Sequence, residues 1–375
     1  MSGIYIHIPF CAKRCHYCDF FSTTSTAYID DFVLALIAEI DKNKAYLSAD
    51  IETIYFGGGT PSFISSNQLH SILNKIQKTF NIVEHPEITI EANPDDLDAE
   101  KIRNFKKIGF NRLSIGIQSF HDDELELMNR RHNAKEAIQA VKNCQHAGFD
   151  NISIDLIYGI PGQDLSKFDY SINEALKLGI QHISAYHLTY EPGTFFYQKL
   201  QKKQFEAVAE DVSVDLFQHL RKKLQGNGFM HYEISNFAKD NLFSKHNTNY
   251  WKNKHYLGLG PSAHSYNGIS RKWNVSNMVK YINGIKRGEQ IFEEETLTNI
   301  QKLNEYIMVS LRTMWGIDLN YVQEKFGEIM VEQIIKNAKK QIEKQNLEHT
   351  ENALKLSEKG VFIADYIIAE LFFEV

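Results

Sequence analysis

The chain has 375 residues, a formal net charge of −6, 43% hydrophobic and 12% aromatic residues. That composition supports a sizeable core and excludes an intrinsically disordered chain, and its acidic balance argues against a nucleic-acid partner, whose footprint is normally basic. The length suits one α/β barrel with an appended domain.

Taken in order, short apolar runs alternate with helical patterns from residue 3 to about 190, which predicts repeated βα units around a parallel sheet. Ile4–Ile8 is the first predicted strand and ends at Pro9. A helix is predicted over Tyr28–Lys44, with Phe32, Leu36, Ile37 and Ile40 on one face. Thr53–Phe56 is the second strand and runs into Gly57-Gly58-Gly59-Thr60-Pro61. Helix and strand patterns then repeat through Asn67–Phe80, Glu87–Ala92, Asp98–Ile108, Arg112–Gln118, Ala134–Ala147, Asn151–Tyr158, Ser166–Leu178, His182–Thr189 and Ala207–Leu224. Six strands, each followed by a helix, with right-handed crossovers predict a partial (β/α)6 barrel of the TIM type. The unusual polar and glycine clusters fall just after strands, on the barrel's C-terminal face.

Beyond Leu224 the pattern breaks. Gly226-Asn227-Gly228 is a turn, Tyr232–Phe237 an edge strand, and an aromatic, histidine-rich loop is expected to about Trp273. Helices are predicted over Ile300–Thr313, Asn320–Phe326, Val331–Gln345 and Val361–Phe372, giving a small, mostly helical, winged-helix-like end. The expected domains are residues 1–230 for the barrel, 231–290 for the connecting region and 291–375 for the C-terminal domain.

Chemistry concentrates at Cys11, Cys15 and Cys18, a C-x3-C-x2-C run directly after the first strand. Thiolates are soft ligands that select zinc or iron–sulfur clusters. Three cysteines on a four-iron cubane leave one iron open, whereas a closed zinc site would need a fourth ligand such as His16 or His7. Cys144 lies far along the chain and reads as a small buried hydrophobe. Three clustered cysteines out of four make no disulfide framework and suit a reducing compartment. With no signal-like N-terminus and no apolar run long enough to span a bilayer, the expected location is cytoplasmic, peripheral membrane contact staying open. Gly57–Pro61 can bring backbone close to a ligand. Glu91, Gln118 and Asp155 interrupt or end apolar strands and call for partners or a ligand; Glu91 can accept from two ribose hydroxyls, and Arg130 can pair with a carboxylate.

Tyr5-Ile6-His7-Ile8-Pro9-Phe10-Cys11 followed by this spacing resembles the radical S-adenosylmethionine (SAM) superfamily, in the branch that holds the oxygen-independent coproporphyrinogen III dehydrogenases and the HemW haem chaperones. The resemblance implies a [4Fe–4S] cluster on Cys11, Cys15 and Cys18, with SAM chelating the open iron and contacted by Tyr5, Gly58 and Glu91. Tyr17, Gly59, Thr60, Gln118, Arg130 and Asp155 match positions around a second SAM in the dehydrogenases. Where those enzymes carry a fourth cysteine, two residues after the third, this chain has Phe20, which can neither ligate iron nor shuttle a hydrogen atom. His246-Asn247-Thr248-Asn249-Tyr250-Trp251 matches the chaperones' H-N-x2-Y-W signature, which implies haem binding by His246, Asn247, Tyr250 and Trp251; His7, His231, His255 and His264 are rival axial ligands. Leu257–Ala263 is expected as a loop closing over the barrel mouth. The implied function is to bind haem and hand it to an acceptor protein that the sequence does not identify. The alternative is SAM-dependent oxidative decarboxylation of coproporphyrinogen III.

Overall fold

The structure, a computed structural model, describes residues 1–374. Its first part runs β1 (Ser2–Ile8), α1 (Ile29–Lys42), β2 (Ile51–Gly58), α2 (Ser66–Thr79), β3 (Ile82–Ala92), α3 (Ala99–Ile108), β4 (Arg112–Gln118), α4 (Asp122–Leu127), α5 (Ala134–His146), β5 (Ile152–Tyr158), α6 (Leu165–Lys177), β6 (His182–His187), α7 (Phe195–Gln201) and α8 (Glu210–Gly226). Local signals fix several helix starts. Ser65 with Gln68, and Asn133 with Glu136, form reciprocal capping boxes at α2 and α5.

β1 to β6 pair in parallel and in sequence order, as the βα pattern requires. Their residues alternate with period two. Ile4, Ile6, Ile8, Ile54, Phe56, Ile90, Leu113, Ile115, Ile154 and Ile183 are fully enclosed in one core under the helices. The opposite, concave face is polar. Tyr5 pairs with Tyr55, Tyr55 with Thr89, and Thr89 with Arg112, while Glu91 pairs with Ser114 and Asp155 with Ser184. A barrel of this type normally fills its interior with branched apolar side chains. Here the interior holds titratable groups instead, which follows from residue identities at alternate strand positions.

The second part departs from expectation. A hairpin, β7 (Met230–Glu233) and β8 (Asn236–Ala238), caps the β6 edge antiparallel. The predicted histidine-rich loop contains a helix, α9 (Lys245–Trp251), and three strands, β9 (Tyr256–Leu259), β10 (His264–Tyr266) and β11 (Ser270–Asn274). After α10 (Met278–Arg287), β12 (Phe292–Thr296) ends the other edge, giving a twelve-stranded sheet in the order β12-β11-β10-β9-β1-β2-β3-β4-β5-β6-β8-β7. Leu257–Leu259, expected in a loop over the mouth, lies in a seventh parallel strand beside β1, with Gly3 opposite Tyr256 and Ile6 opposite Leu259. Glycine makes this strand possible: a Cβ on Gly258 would stand 2.0 Å from the carbonyl oxygen of His264 on the neighbouring chain segment.

The chain ends in α11 (Asn299–Leu311), β13 (Ile317–Asp318), α12 (Leu319–Phe326), α13 (Glu328–Glu343), β14 (Leu347–His349), β15 (Ala353–Leu356) and α14 (Ala364–Leu371). Leu303, Ile307, Ile317, Val322, Ile334, Leu354 and Ile367 form a core separate from that of the barrel, and β13, β15 and β14 make a small antiparallel sheet. Among the described residues no helix is long and apolar enough to cross a membrane.

Candidate cofactor site

The cysteine loop leaves β1 at Pro9 and is pinned on several sides. Thr23 N–H donates to the Pro9 carbonyl at 2.7 Å and Cys11 N–H to the Thr23 carbonyl at 3.0 Å. His16 N–H donates to Met128 O at 3.1 Å, and Phe196 N–H to His16 O at 3.0 Å, tying the loop to the connections after β4 and β6. A short loop held this way presents its thiols in a fixed frame. Cys11 is buried, and Cys15 and Cys18 are half-buried. Burial pushes the Cys11 thiol up and the Cys18 thiol to about 11.

The surroundings compensate with donors aimed at sulfur. Thr60 Oγ1 donates to Cys11 Sγ at 3.4 Å and Arg130 Nη1 to Cys15 Sγ at 3.2 Å. The other guanidinium nitrogen of Arg130 donates to Asn93 Oδ1 at 2.8 Å and to the Gly116 carbonyl at 2.5 Å, which aims the fork. The two histidines that could close a zinc site each place one ring nitrogen on a backbone carbonyl. His16 Nδ1 lies 2.8 Å from Leu127 O with its ring stacked on Phe195, and His7 Nε2 lies 2.8 Å from Phe21 O.

These thiols open into a cavity of about 370 Å³ at the C-terminal ends of β1 to β6. Of the residues expected at the site, Cys11, Cys15, Cys18, Tyr17, Gly58, Gly59, Thr60, Glu91, Gln118, Arg130 and Asp155 line it. Gly58 has φ +112°, and a Cβ there would lie 2.7 Å from the His7 ring, while a Cβ on Gly59 would stand 2.9 Å from Cys11 Sγ. The Gly58 N–H donates to Glu91 Oε2 at 3.1 Å, so glycine loop and carboxylate form one wall. Gln118, also at positive φ (72°), breaks the register between β4 and β5 and turns into the mouth. Burial raises Glu91 to about 7 and Asp155 to about 6, with their mutual repulsion adding to Glu91. The rim carries Phe20, 64% exposed, and Tyr186, 43% exposed, beside the cations Lys13 and Arg14.

Tyr5 sits beneath this cavity, its hydroxyl 3.2 Å from His7 Nδ1. The H-N-x2-Y-W residues, which the resemblance implies bind haem, lie below it as well. His246 is 1% exposed; Nδ1 is 2.8 Å from Thr53 Oγ1 and Nε2 is 2.8 Å from Tyr250 OH. A ring with both nitrogens engaged and no solvent face offers iron no lone pair in this conformation. Burial and the Arg112 charge lower its pKa to about 3, so it is neutral. Asn247 is half-buried with its N–H on Ser244 Oγ, and Trp251 lies under the Arg312 guanidinium at 5.9 Å, its indole nitrogen enclosed without a partner.

Residues missed from the sequence are Tyr55, Asn93 and Arg112. Tyr55 OH donates to Glu91 Oε1 at 2.8 Å, Asn93 orients Arg130, and Arg112 is a 1% exposed cation beneath both carboxylates. The available signal was Arg112 at the head of an apolar strand, as unusual as the carboxylate of Glu91.

Residues 5–175 match the model of the radical SAM superfamily, and residues 297–363 match that of the HemN C-terminal domain. The chain is similar to the haem chaperone HemW of Bacillus subtilis, 36% identical over 98% of each chain, and to that of Lactococcus lactis, 33% identical over 87% of this chain and 85% of the relative. A radical SAM domain-containing mitochondrial protein of Danio rerio is 28% identical over 100% of this chain and 87% of its own. Among solved structures, coproporphyrinogen III oxidase (HemN) from Escherichia coli superposes with TM-score 0.86 at 20% identity over 100% of this chain and 90% of that one, which establishes a common fold. A polar-lumened partial barrel, a three-thiol loop opening on its mouth and near full-length likeness to curated chaperones place the chain in the HemW haem chaperone family of the radical SAM superfamily.

Proposed function

We propose that the chain holds a [4Fe–4S] cluster and SAM in the mouth cavity, binds haem, and hands the haem to an acceptor protein. The observation that carries the chaperone reading is likeness to HemW over 98% of both chains, in a molecule whose rim has Phe20 where a fourth thiol would stand. Cys11, Cys15 and Cys18 would hold the cluster; the donor set fits, since Thr60 and Arg130 already direct hydrogen bonds at two of the sulfurs. When bound, the cluster supplies a single electron for reductive cleavage of SAM.

The protein's own part is positioning. Gly58 and Gly59 bring backbone against the ligand, and Glu91 offers a carboxylate oriented by Tyr55 OH and Gly58 N–H to a pair of hydroxyls. Arg130, fixed by Asn93 and Gly116, and Asp155, held by Ser114, flank the remaining space. Lys13 and Arg14 on the rim suit the propionates of a porphyrin, with Phe20 and Tyr186 as apolar faces. The acceptor is a protein able to take haem from this rim. Anaerobic haem titration of the cluster-loaded chain, followed by transfer to an apo-haemoprotein, is expected to give a saturable spectral change that moves to the acceptor. Absence of haem binding, together with anaerobic formation of protoporphyrinogen from coproporphyrinogen III, would instead establish the dehydrogenase.

A further inference from the structure

Between the SAM pocket and α9 the barrel interior is filled by one continuous set of contacts. Glu91 Oε1 accepts from Tyr55 OH at 2.8 Å. The Tyr55 ring stacks on His246, centroids 5.1 Å apart at 26°. Tyr5 stacks on the same imidazole at 6.4 Å and on Tyr55 at 6.1 Å. His246 is gripped by Thr53 and Tyr250, and the N–H groups of Lys245 and His246 donate to the Glu87 carboxylate at 3.1 and 3.0 Å. The pocket carboxylate is thus one side chain away from the histidine of the H-N-x2-Y-W helix.

We propose that Tyr55 couples the two, so that an occupant hydrogen-bonded to Glu91 locks His246 in the barrel and an empty pocket lets α9 loosen. This rests on the reading that SAM occupies the mouth cavity against Glu91. The physical cause is acceptor strength. In the free protein burial keeps Glu91 near its midpoint at neutral pH, and a sulfonium cation with two hydroxyl donors favours the carboxylate, the better acceptor for Tyr55 OH. A tightened Tyr55 fixes the ring stacked against His246. The histidine reaches iron only by leaving Thr53 and Tyr250, so the pocket's occupant sets how readily the motif opens. Linkage makes the effect reciprocal: a haem bound through His246 and a SAM bound at Glu91 weaken one another by the same factor.

The test is hydrogen–deuterium exchange of the peptide covering residues 244–252 in the cluster-loaded chain, with and without saturating SAM, alongside equilibrium dialysis to measure SAM bound. In the wild type SAM is expected to slow exchange by about fivefold or more, the lower end of ordinary coupling factors. Tyr55→Phe keeps the ring and removes the hydroxyl that orients Glu91, so its SAM affinity should fall; with SAM raised until dialysis shows the pocket filled, it should still show no slowing. Thr53→Val, which cuts the contact on the imidazole's other side, should exchange faster and respond less. Bound SAM with unaltered exchange in the wild type, or slowing in Tyr55→Phe equal to wild type, overturns the coupling. No SAM bound by the wild type overturns the pocket reading and the coupling together.

Discussion

The two ends of the barrel interior are built on opposite rules. At the mouth, side chains are preset but unfinished: donors point at thiols, two carboxylates sit above their ordinary pKa values, and 370 Å³ stands between them. At the floor, the contacts around His246 are closed, with both ring nitrogens paired and tyrosine rings on its faces. An unfinished polar site is ready for a ligand, whereas a finished one must first give up contacts to take one. The contrast teaches that the cysteine motif and the histidine motif, though both belong to one family signature, act from different positions.

The contrast breaks most directly at the mouth. Serine at Cys11, Cys15 and Cys18 together should abolish iron–sulfur absorbance near 400 nm while far-ultraviolet circular dichroism stays at the wild-type level; retention of a cluster would place its ligands elsewhere. The floor should show itself through pH. His246 has a folded pKa of about 3 against an ordinary 6.5, so the unfolded state binds the extra proton between these values. Its contribution is complete above pH 6.5 and is lost as pH falls, with a slope of up to about 1.4 kcal/mol per pH unit. Denaturant titrations from pH 7 to 4 should therefore show a steeper loss in wild type than in His246→Gln, and parallel curves would mean that the ring is charged or solvated.

Gly58→Ala tests whether the mouth is preset by backbone. Its φ of +112° and the His7 ring 2.7 Å from a new Cβ should cost about 1–3 kcal/mol in chemical denaturation and lower SAM affinity. The smallest effect is expected of Phe20→Cys. That side chain is 64% exposed on the rim, so stability should stay within about 0.5 kcal/mol, and anaerobic assay should show no new decarboxylation of coproporphyrinogen. Gain of that activity would make one sulfur the whole difference between chaperone and enzyme.

Much of the mouth was legible because its residues follow strands: a barrel's connections converge wherever the βα pattern is regular, so Cys11, Cys15, Cys18, Gly58–Thr60, Glu91, Gln118 and Asp155 meet without further information. The floor was not. His246 follows the sixth strand by some sixty residues, and only the return of Tyr256–Leu259 beside β1 brings α9 under the barrel. That return was hidden because Leu-Gly-Leu-Gly lacks the β-branched, alternating composition of a strand, and its glycine serves the approach of His264 rather than a turn. Tyr55 was hidden for a different reason. A tyrosine in an apolar strand is ordinary, and its importance lies in facing Glu91 across two strands.

The placement of β1 between β2 and β9 has a consequence for synthesis on the ribosome. One edge of this first strand can zip to Ile51–Gly58 almost at once, but the other waits for residues 256–259, about 250 positions later. At roughly 5–20 residues per second the nascent barrel stays unsealed for about 12–50 seconds, with the cysteine loop already emerged. Over that interval one margin of β1 stays unpaired, an exposed strand edge of the kind that invites mispairing.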